Sequence, residues 1–597
     1  MQDKFSNLQI AELLRDLAAA LQIKDPKKNK FRIIAYENAA TSVEHLSSEV
    51  KDMWDEGKLT DIPGIGQSLQ DNLDEFFKKG RSKHFDNILL GIPKAVFELM
   101  KVQGVGPKTA FKLVKEFGIT DNKPRTQLAE IAKAGKIRDL EGFGEKSETE
   151  ILKSLTSFKE NKEKRILFSY AVGKATEIID WMQKDKNVKR IDVLGSLRRK
   201  VATVGDVDLS VVTNNSEEVL SHFVSYPHTN RVLEKGEAKA SILVPGEVQI
   251  DLRVQPEDSY GSLLQHFTGS KFHNIALREY ALKKGLSLSE YGITILQKGE
   301  LLKKFKTEEQ FYNYLGLQYI PPELREDMGE IEAAKENKLP KLVELTDIKG
   351  DLQIHSDFNI ETSHDVGGSS MEEIVTKANE LKYEYIAFTE HNPSQKGHSE
   401  NQIVEILKRK REKINKLNYS INNSNRGCLK KVFNSLEIDI LPSGKLPVSE
   451  VGLNTLDFAL VSIHSSFNQT KVEMTQRILT ALSYPKVKIL AHPTARIILK
   501  RESVEADWQK IFEFAVKNNK WIEVNADPAR LDLPDYLIKE ALQYGVKFSL
   551  GTDAHNKEGL NNMVFGIYNA KRGWLTSSDI INTSSFQEFE KILIGGE

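Results

Sequence analysis

Asp206 and Asp208 stand two residues apart in the run GDVDLSVV, and Asp251 lies in a later run, VQIDLRV. Side chains alternate faces along a strand, so the first two aspartates share one face. Asp251 on a neighbouring strand could face the same way. Three converging carboxylates repel one another unless a counter-charge sits between them. Divalent cations supply that charge, and a pair of them can activate a primer hydroxyl and stabilise leaving pyrophosphate. Ahead of the pair runs GSLRR, where Gly195 and Ser196 offer backbone and hydroxyl donors to a triphosphate and Arg199 offers a charged fork. A lone D-x-D is common on solvated strand edges. The fixed distance from G-S-x-R-R and the third aspartate point to nucleotidyl transfer.

A second constellation spans residues 351–555. It holds His355 in DLQIH, His364 and Asp365 in SHDVGG, His391 in FTEH, Glu437 in SLEID, His464 in VSIH, His492 in ILAHP, and Asp553 with His555 in GTDAH. One histidine at a strand end is more often structural than a ligand. Six after β-rich runs, with Glu437 and a D-x-H pair, read as a metal centre. Mixed imidazole and carboxylate shells suit Zn²⁺ or Mn²⁺ and not Ca²⁺. A cluster this large could hold two or three ions and activate water against a phosphodiester.

Three short segments repeat one design: IPGIG (62–66), VQGVG (102–106) and LEGFG (140–144). Glycines such as Gly64, Gly66, Gly104 and Gly106 let backbone N–H groups approach a phosphate closely, and the following helix adds its dipole. Contacts of this kind position a duplex without reading its sequence. Lys108, Lys112 and Lys115 fall on one face of the helix after the second segment.

These groups need elements to hold them. Residues 1–85 carry apolar positions at helical spacing (Leu8, Ala11, Leu14, Leu17), and 86–160 continue as short helices with glycine turns. Residues 165–320 mix β-branched runs with helical stretches. From Asp347 onward strand-like and helical runs alternate, which predicts a barrel of parallel strands with its histidines and acids at the strand ends. The expected fold class is multidomain α+β. The chain has 597 residues, a formal net charge of −1 and one cysteine, Cys428. The net charge therefore says nothing of a polyanionic partner, and no intrachain disulfide is possible. The N-terminus lacks a signal-peptide core, and no apolar run is long enough to span a membrane. The basic tract 408–418 reads as a solvated helix face.

GSLRR…GDVDL…IDLRV, followed by LLQHFTGSKFHNIALREYALKKGLSLSEYGI, resembles the palm and nucleotide-binding parts of family X DNA polymerases over residues 1–320. The resemblance implies Asp206, Asp208 and Asp251 as metal ligands, with Asp251 also taking the primer hydroxyl proton. It implies Arg165, Gly195, Ser196, Arg199, Gly205, Phe267, Gly269, Asn274 and Arg278 around the nucleotide, and Arg32 and Tyr36 at a 5′-phosphate. Where the family has Tyr–Phe this chain has His266–Phe267. At the position of the family's Schiff-base lysine stands Asn72, whose amide is no imine-forming nucleophile, so lyase activity by that route is expected to be weak or absent. Residues 340–575 resemble the polymerase-and-histidinol-phosphatase (PHP) domain. By that analogy His355, Glu437 and Asp553 hold one ion. Glu437, His464 and His492 hold a second, and Asp365 or His364 with His391 and His555 a third. Gln353 replaces the family's first histidine, and Glu390 its T-D-H aspartate.

The expected domains are a helix-hairpin-helix domain (1–85), a second such subdomain (86–163), palm (164–256), nucleotide-binding subdomain (257–320), linker (321–346) and PHP domain (347–597). The expected function is short-gap filling in DNA repair, with 3′–5′ exonuclease or 3′-end phosphoesterase activity. The expected substrates are gapped or primer-template DNA and dNTPs. The expected ions are Mg²⁺ (or Mn²⁺) at the polymerase site and two to three Mn²⁺ or Zn²⁺ in the PHP domain. A monomer without membrane attachment, in the cytoplasm at the nucleoid, is expected. Three other readings stay open at this point: a structural PHP domain or DNA-end-binding scaffold, a nucleotidyltransferase acting on something other than DNA, and a small-molecule phosphatase.

Overall fold

A computed structural model describes residues 7–44, 50–55, 57–62, 64–102, 105–140, 142–145, 147–149, 151–152, 155, 165–296, 301–424 and 427–594. The chain forms two compact units. One comprises Met1–Ile191, Val204–Val211 and Asn215–Val254; the other comprises Asp192–Thr203, Val212–Asn214 and Gln255–Glu597.

The first unit opens with helices Asn7–Lys24, Lys30–Glu44 and Gln67–Lys79. Ile10, Leu14, Leu17 and Leu21 recur at helical spacing and bury their stripe against Val43, Leu73 and Phe85. A second core gathers Val96, Leu99, Val105, Leu113 and Leu128. Gly66 and Gly106 cap the helices Gln67–Lys79 and Pro107–Phe117. Gly64 has φ +83°, and a Cβ there would sit 2.9 Å from the Ala39 backbone nitrogen. Only glycine fits that approach. Gly104 lies outside the described residues. A five-stranded sheet follows, in the order Arg190–Val193, Val207–Val212, Val248–Gln255, Lys239–Val244, Arg231–Lys235.

In the second unit, helices Tyr260–Thr268, Lys271–Leu282 and Glu308–Leu315 accompany a small antiparallel sheet. Leu277, Ile293, Phe311, Tyr312 and Leu315 make its core. Further along, the strands run parallel. Gly350–Ile354, Tyr385–Phe388 and Lys431–Asn434 form one sheet; Glu437–Asp439, Ala459–Ser462, Val487–Leu490, Trp521–Asn525 and Lys547–Gly551 form another. The expected parallel strands thus fall in two sheets and not in one continuous ladder. Isolated parallel bridges, His391↔Glu437 and Ile354↔Ala554, occur at strand ends. Most strand residues are buried on both faces, as helix-covered parallel strands are. Among the described residues no helix is long and apolar enough to cross a membrane.

Candidate active sites

Period-two geometry gives the first site its shape. Val207, Leu209 and Val211 are buried, while Asp206 and Asp208 are less so and share the other face. The neighbouring hairpin sets Asp251 opposite Ser241. Asp251 is 6% exposed, accepts from Gln249 Nε2 at 2.9 Å and lies 3.2 Å from Lys239 Nζ. Burial, then the charges of Asp206 and Asp251, push the Asp208 carboxyl up to about 7. That mutual repulsion fits a cluster built to receive divalent cations. Gly205, beside it, is exposed, with open space where a Cβ would be. Arg165 is exposed just ahead of the strand Ile166–Leu167.

The GSLRR segment forms the short helix Gly195–Arg198 in the second unit, with Gly195 at φ +55°. Arg198 is committed to structure: its Nη1 donates to Thr268 Oγ1 and Glu308 Oε1, and its Nη2 to Glu308 Oε2. Arg325 Nη1 grips the same carboxylate at 2.6 Å. Arg199 donates from Nε to Glu326 (2.9 Å) and from Nη1 to the Thr268 carbonyl (2.5 Å). Gly269 has φ +69°, and a Cβ there would lie 3.1 Å from Arg199 Nη1. Phe267 packs edge-on to His266, ring centroids 4.8 Å apart. Asn274 is held by Gln265 Nε2 (2.9 Å) and donates to the His266 carbonyl (2.8 Å). Arg278 is exposed one turn further along the same helix.

On the helical domains, Lys108 and Lys115 are exposed and Lys112 is half-buried. Arg32 is exposed beside His84 (3.1 Å), whereas Tyr36 is 7% exposed and packs edge-on to Phe85. Asn72 uses both ends of its amide: Nδ2 donates to the Ser68 carbonyl at 2.6 Å and Oδ1 accepts from Ser82 Oγ at 3.3 Å.

The second cluster centres on Glu437, fully buried where its strand begins. Glu437 Oε1 lies 2.8 Å from His492 Nε2 and 3.2 Å from His464 Nε2. Glu437 Oε2 lies 3.2 Å from His355 Nε2 and 3.7 Å from His391 Nδ1. His355 Nε2 is also 3.2 Å from Asp553 Oδ1. Asp365 is 3.5 Å from His391 Nε2 and 3.3 Å from His555 Nε2. Four trios each bring their ligand atoms within 4.8 Å of one another: His355–Glu437–Asp553, Glu437–His464–His492, His355–His391–His555 and His364–His391–His464.

The electrostatics are those of a cation site. Burial would raise the Glu437 carboxyl, but the imidazoles around it hold it well below the usual range. Burial would lower His355, yet Asp553 and Glu437 hold it up at about 10, and His464 at about 9 through Asp439 and Glu437. His391 is pushed down to about 4, chiefly by burial. His355 Nδ1 and Nε2, His391 Nδ1, His492 Nδ1 and His555 Nε2 are buried with no well-directed hydrogen bond among the described residues. Buried polar atoms of this kind need a partner, and imidazole nitrogens facing carboxylates are the donor set of Zn²⁺ and Mn²⁺. His492 (φ +27°) and Asp553 (φ +55°) hold left-handed backbone, which side chains other than glycine adopt reluctantly.

Three family models match the sequence: a helix-hairpin-helix domain over residues 5–82, a SAM-like helix-hairpin-helix tandem over 96–157, and the DNA polymerase beta thumb over 263–326. The chain is 33% identical over 586 residues to the DNA polymerase/3′-5′ exonuclease PolX of Bacillus subtilis (strain 168), covering 98% of each chain. The chain belongs to the family X DNA polymerases. DNA polymerase lambda of Rattus norvegicus is 24% identical to this family X chain over 353 residues, 54% of this chain and 56% of the relative. A probable phosphatase of Thermoanaerobacter sp. is 25% identical over 244 residues, 38% of this chain and 92% of the relative.

Asp439 and Glu523 escaped the sequence reading of this polymerase. Asp439 accepts from His464 Nδ1 (2.7 Å) and His364 Nε2 (2.8 Å), so it orients two imidazoles. It stands two residues from Glu437 on the same strand, a signal the D-x-D logic could have caught. Glu523 accepts from the His492 N–H (2.7 Å) and Asn525 Nδ2 (3.1 Å), and burial holds it well above the carboxylate range. Gln353 donates from Nε2 to Glu437 Oε2 (2.9 Å) while its Oε1 faces Asn525 Nδ2 (3.4 Å). Glu390 turns to Lys410 and to Ser356 Oγ (2.5 Å). Lys410 corrects the reading of the basic tract: it is fully buried and donates to the Phe388 carbonyl at 3.0 Å and to that of Ser435. Only a tertiary partner such as Glu390 makes a buried ammonium tenable. Lys408 stays exposed, and Arg411 pairs with Asp457 at 2.8 Å.

Proposed function

We propose that this DNA polymerase fills short gaps in repair and trims 3′ termini with its C-terminal metal centre. Residues 1–163 clamp DNA phosphates through Gly64, Gly66, Gly104, Gly106 and Lys108, with Arg32 at a 5′-phosphate. Residues 164–256 are the palm, 257–320 select the nucleotide, 321–346 are a linker, and 347–597 are the phosphoesterase. The observation that carries the reading is that Asp208 and Asp251 stand on the adjacent strands Val207–Val212 and Val248–Gln255, with Asp206 two residues before Asp208. In this reading the three aspartates hold Mg²⁺ or Mn²⁺, and Asp251 also accepts the primer hydroxyl proton. Ser196 and Arg199 bind the triphosphate, and Asn274 and Arg278 face the nascent pair.

In the C-terminal site, His355, Glu437, His464, His492 and Asp553 would hold two Mn²⁺ or Zn²⁺ ions, and Asp365, His391 and His555 a third. Such ions supply an activated water and positive charge on a phosphodiester. Asp439 and Glu523 fix His464 and His492, and Arg530, with Nε 3.6 Å from Asp553 and a buried Nη1 that has no hydrogen-bond partner among the described residues, supplies a cation for the scissile phosphate. The B. subtilis relative's name carries both activities over the same length. The enzyme works as a cytoplasmic, nucleoid-associated monomer on gapped or primer-template DNA with dNTPs.

The test uses a 5′-labelled primer on a one-nucleotide-gapped duplex, with Mg²⁺ or Mn²⁺, with and without dNTPs. Asp206→Ala is expected to abolish extension and leave shortening intact; His464→Ala is expected to do the reverse. Wild-type extension without shortening in either metal would leave the C-terminal domain a scaffold.

A further inference from the structure

Arg199 reaches beyond the polymerase region. Glu326 Oε1, which accepts from Arg199 Nε, also accepts from Arg572 Nη1 at 3.0 Å. The same Arg572 nitrogen donates to the backbone carbonyl of Arg199 at 2.8 Å. The other side of the Arg572 guanidinium is fixed by Asp535, with Nε to Oδ2 at 2.8 Å and Nη2 to Oδ2 at 2.5 Å. Arg572 ends the helix Met563–Arg572 and Asp535 begins the helix Asp535–Gln543, both packed in the C-terminal core. All four side chains are at least two-thirds buried, and that of Arg572 is only 7% exposed. A residue of the phosphoesterase domain thus holds both the main chain and the ion-pair partner of an arginine from GSLRR.

Burying a guanidinium costs much of its hydration, so this contact persists only because its donors are matched. Two matched contacts on Arg199 at once, one on its carbonyl and one through Glu326, restrict where its side chain can stand. Arg199 Nε and Nη1 are engaged, and among the described residues Nη2 has no hydrogen bond, which leaves it to meet an incoming phosphate. We propose that Arg572 is a positioning residue for nucleotide addition: it holds Arg199 in the pose that receives the triphosphate. The proposal rests on the reading of Arg199 as a triphosphate contact. It makes the C-terminal domain part of the polymerase's nucleotide affinity, independent of whether its metal centre turns over.

The test is single-nucleotide addition by the full chain on a gapped duplex with dNTP varied. Arg199→Met, Arg572→Met, Arg572→Lys and the double Met variant are compared with wild type. Melting temperature and 3′-shortening are read alongside. Arg572→Met is expected to raise KM for dNTP about tenfold, the scale of one lost charge-assisted hydrogen bond, with kcat and 3′-shortening within about twofold. Arg572→Lys is expected to recover part of the KM. The double variant is expected to do no worse than Arg199→Met, because both act through one contact. Asp535→Asn, which releases Arg572 without deleting it, is expected to raise KM several-fold and serves if Arg572→Met does not fold. A KM raised by Arg199→Met but unchanged by Arg572→Met or Asp535→Asn overturns the proposal, as does a fully additive double variant. A KM untouched by Arg199→Met overturns the triphosphate reading itself, and the proposal with it.

Discussion

Replacing Glu308 by glutamine tests the electrostatic frame of the region that matches the DNA polymerase beta thumb. Glu308 is 3% exposed and sits between Arg198 (3.0 and 2.5 Å) and Arg325 (2.6 Å), itself fully buried. Burial alone would raise its carboxyl; the two guanidiniums bring it down to about 2 from an ordinary 4.5. A carboxyl held this far below its ordinary range corresponds to roughly 3 kcal/mol of stability at neutral pH. Removing one partner of a buried ion pair costs about 3–5 kcal/mol, the same range. Glu308→Gln keeps the volume but sets two guanidiniums against a neutral amide. It is expected to lower the melting temperature by roughly 5–10 °C. The pH dependence has a definite sign. A lowered folded-state pKa gives stability that is full above the unfolded value near 4.5 and fades as pH falls toward about 2. Wild type and variant are therefore expected to converge on acidification, with the gap below about half its neutral value near pH 3. Thermal scans of both proteins from about pH 7 to 3 measure it. A shift under about 2 °C at neutral pH, or a gap that does not narrow in acid, would refute the reasoning.

Asp439→Asn leaves His464 and His364 without their carboxylate and is expected to slow 3′-end shortening roughly 10–100-fold with gap filling unchanged; equal loss of both activities would contradict a role confined to the metal centre. Gln353→His adds an imidazole beside Glu437 and is expected to raise cation affinity roughly tenfold or more, read by calorimetric titration with Mn²⁺; an unchanged affinity would show that position 353 faces no ion. Borohydride reduction with an abasic-site duplex is expected to yield no adduct at Asn72, whose amide is tied to Ser68 and Ser82; a cross-linked peptide containing that residue would reverse the reading.

Short-range pattern carried much of this protein's account. The stripe of Ile10, Leu14 and Leu17 writes a helix because the repeat length of the backbone is local. The pair Asp206 and Asp208 shares a face for the same kind of reason. The IPGIG glycine was legible as a close-approach turn, but that its neighbour is the Ala39 backbone, 2.9 Å from where a Cβ would sit, is known only from the fold. Other features depend on residues far apart in the chain, and no local period encodes those. Asp351 meets Thr552 and Gln353 meets Asn525 only once the parallel strands are assembled. The division of those strands into two sheets followed from which backbone groups paired, and alternating strands and helices fit either outcome. Lys410 looked solvated because its neighbours Lys408 and Arg409 are, but helix packing carried it under the sheet to Glu390. The GSLRR motif marked Arg199 as a candidate phosphate contact; that Glu326 and Arg572 fix it was decided by tertiary packing, which brought a guanidinium from 373 residues away onto its carbonyl.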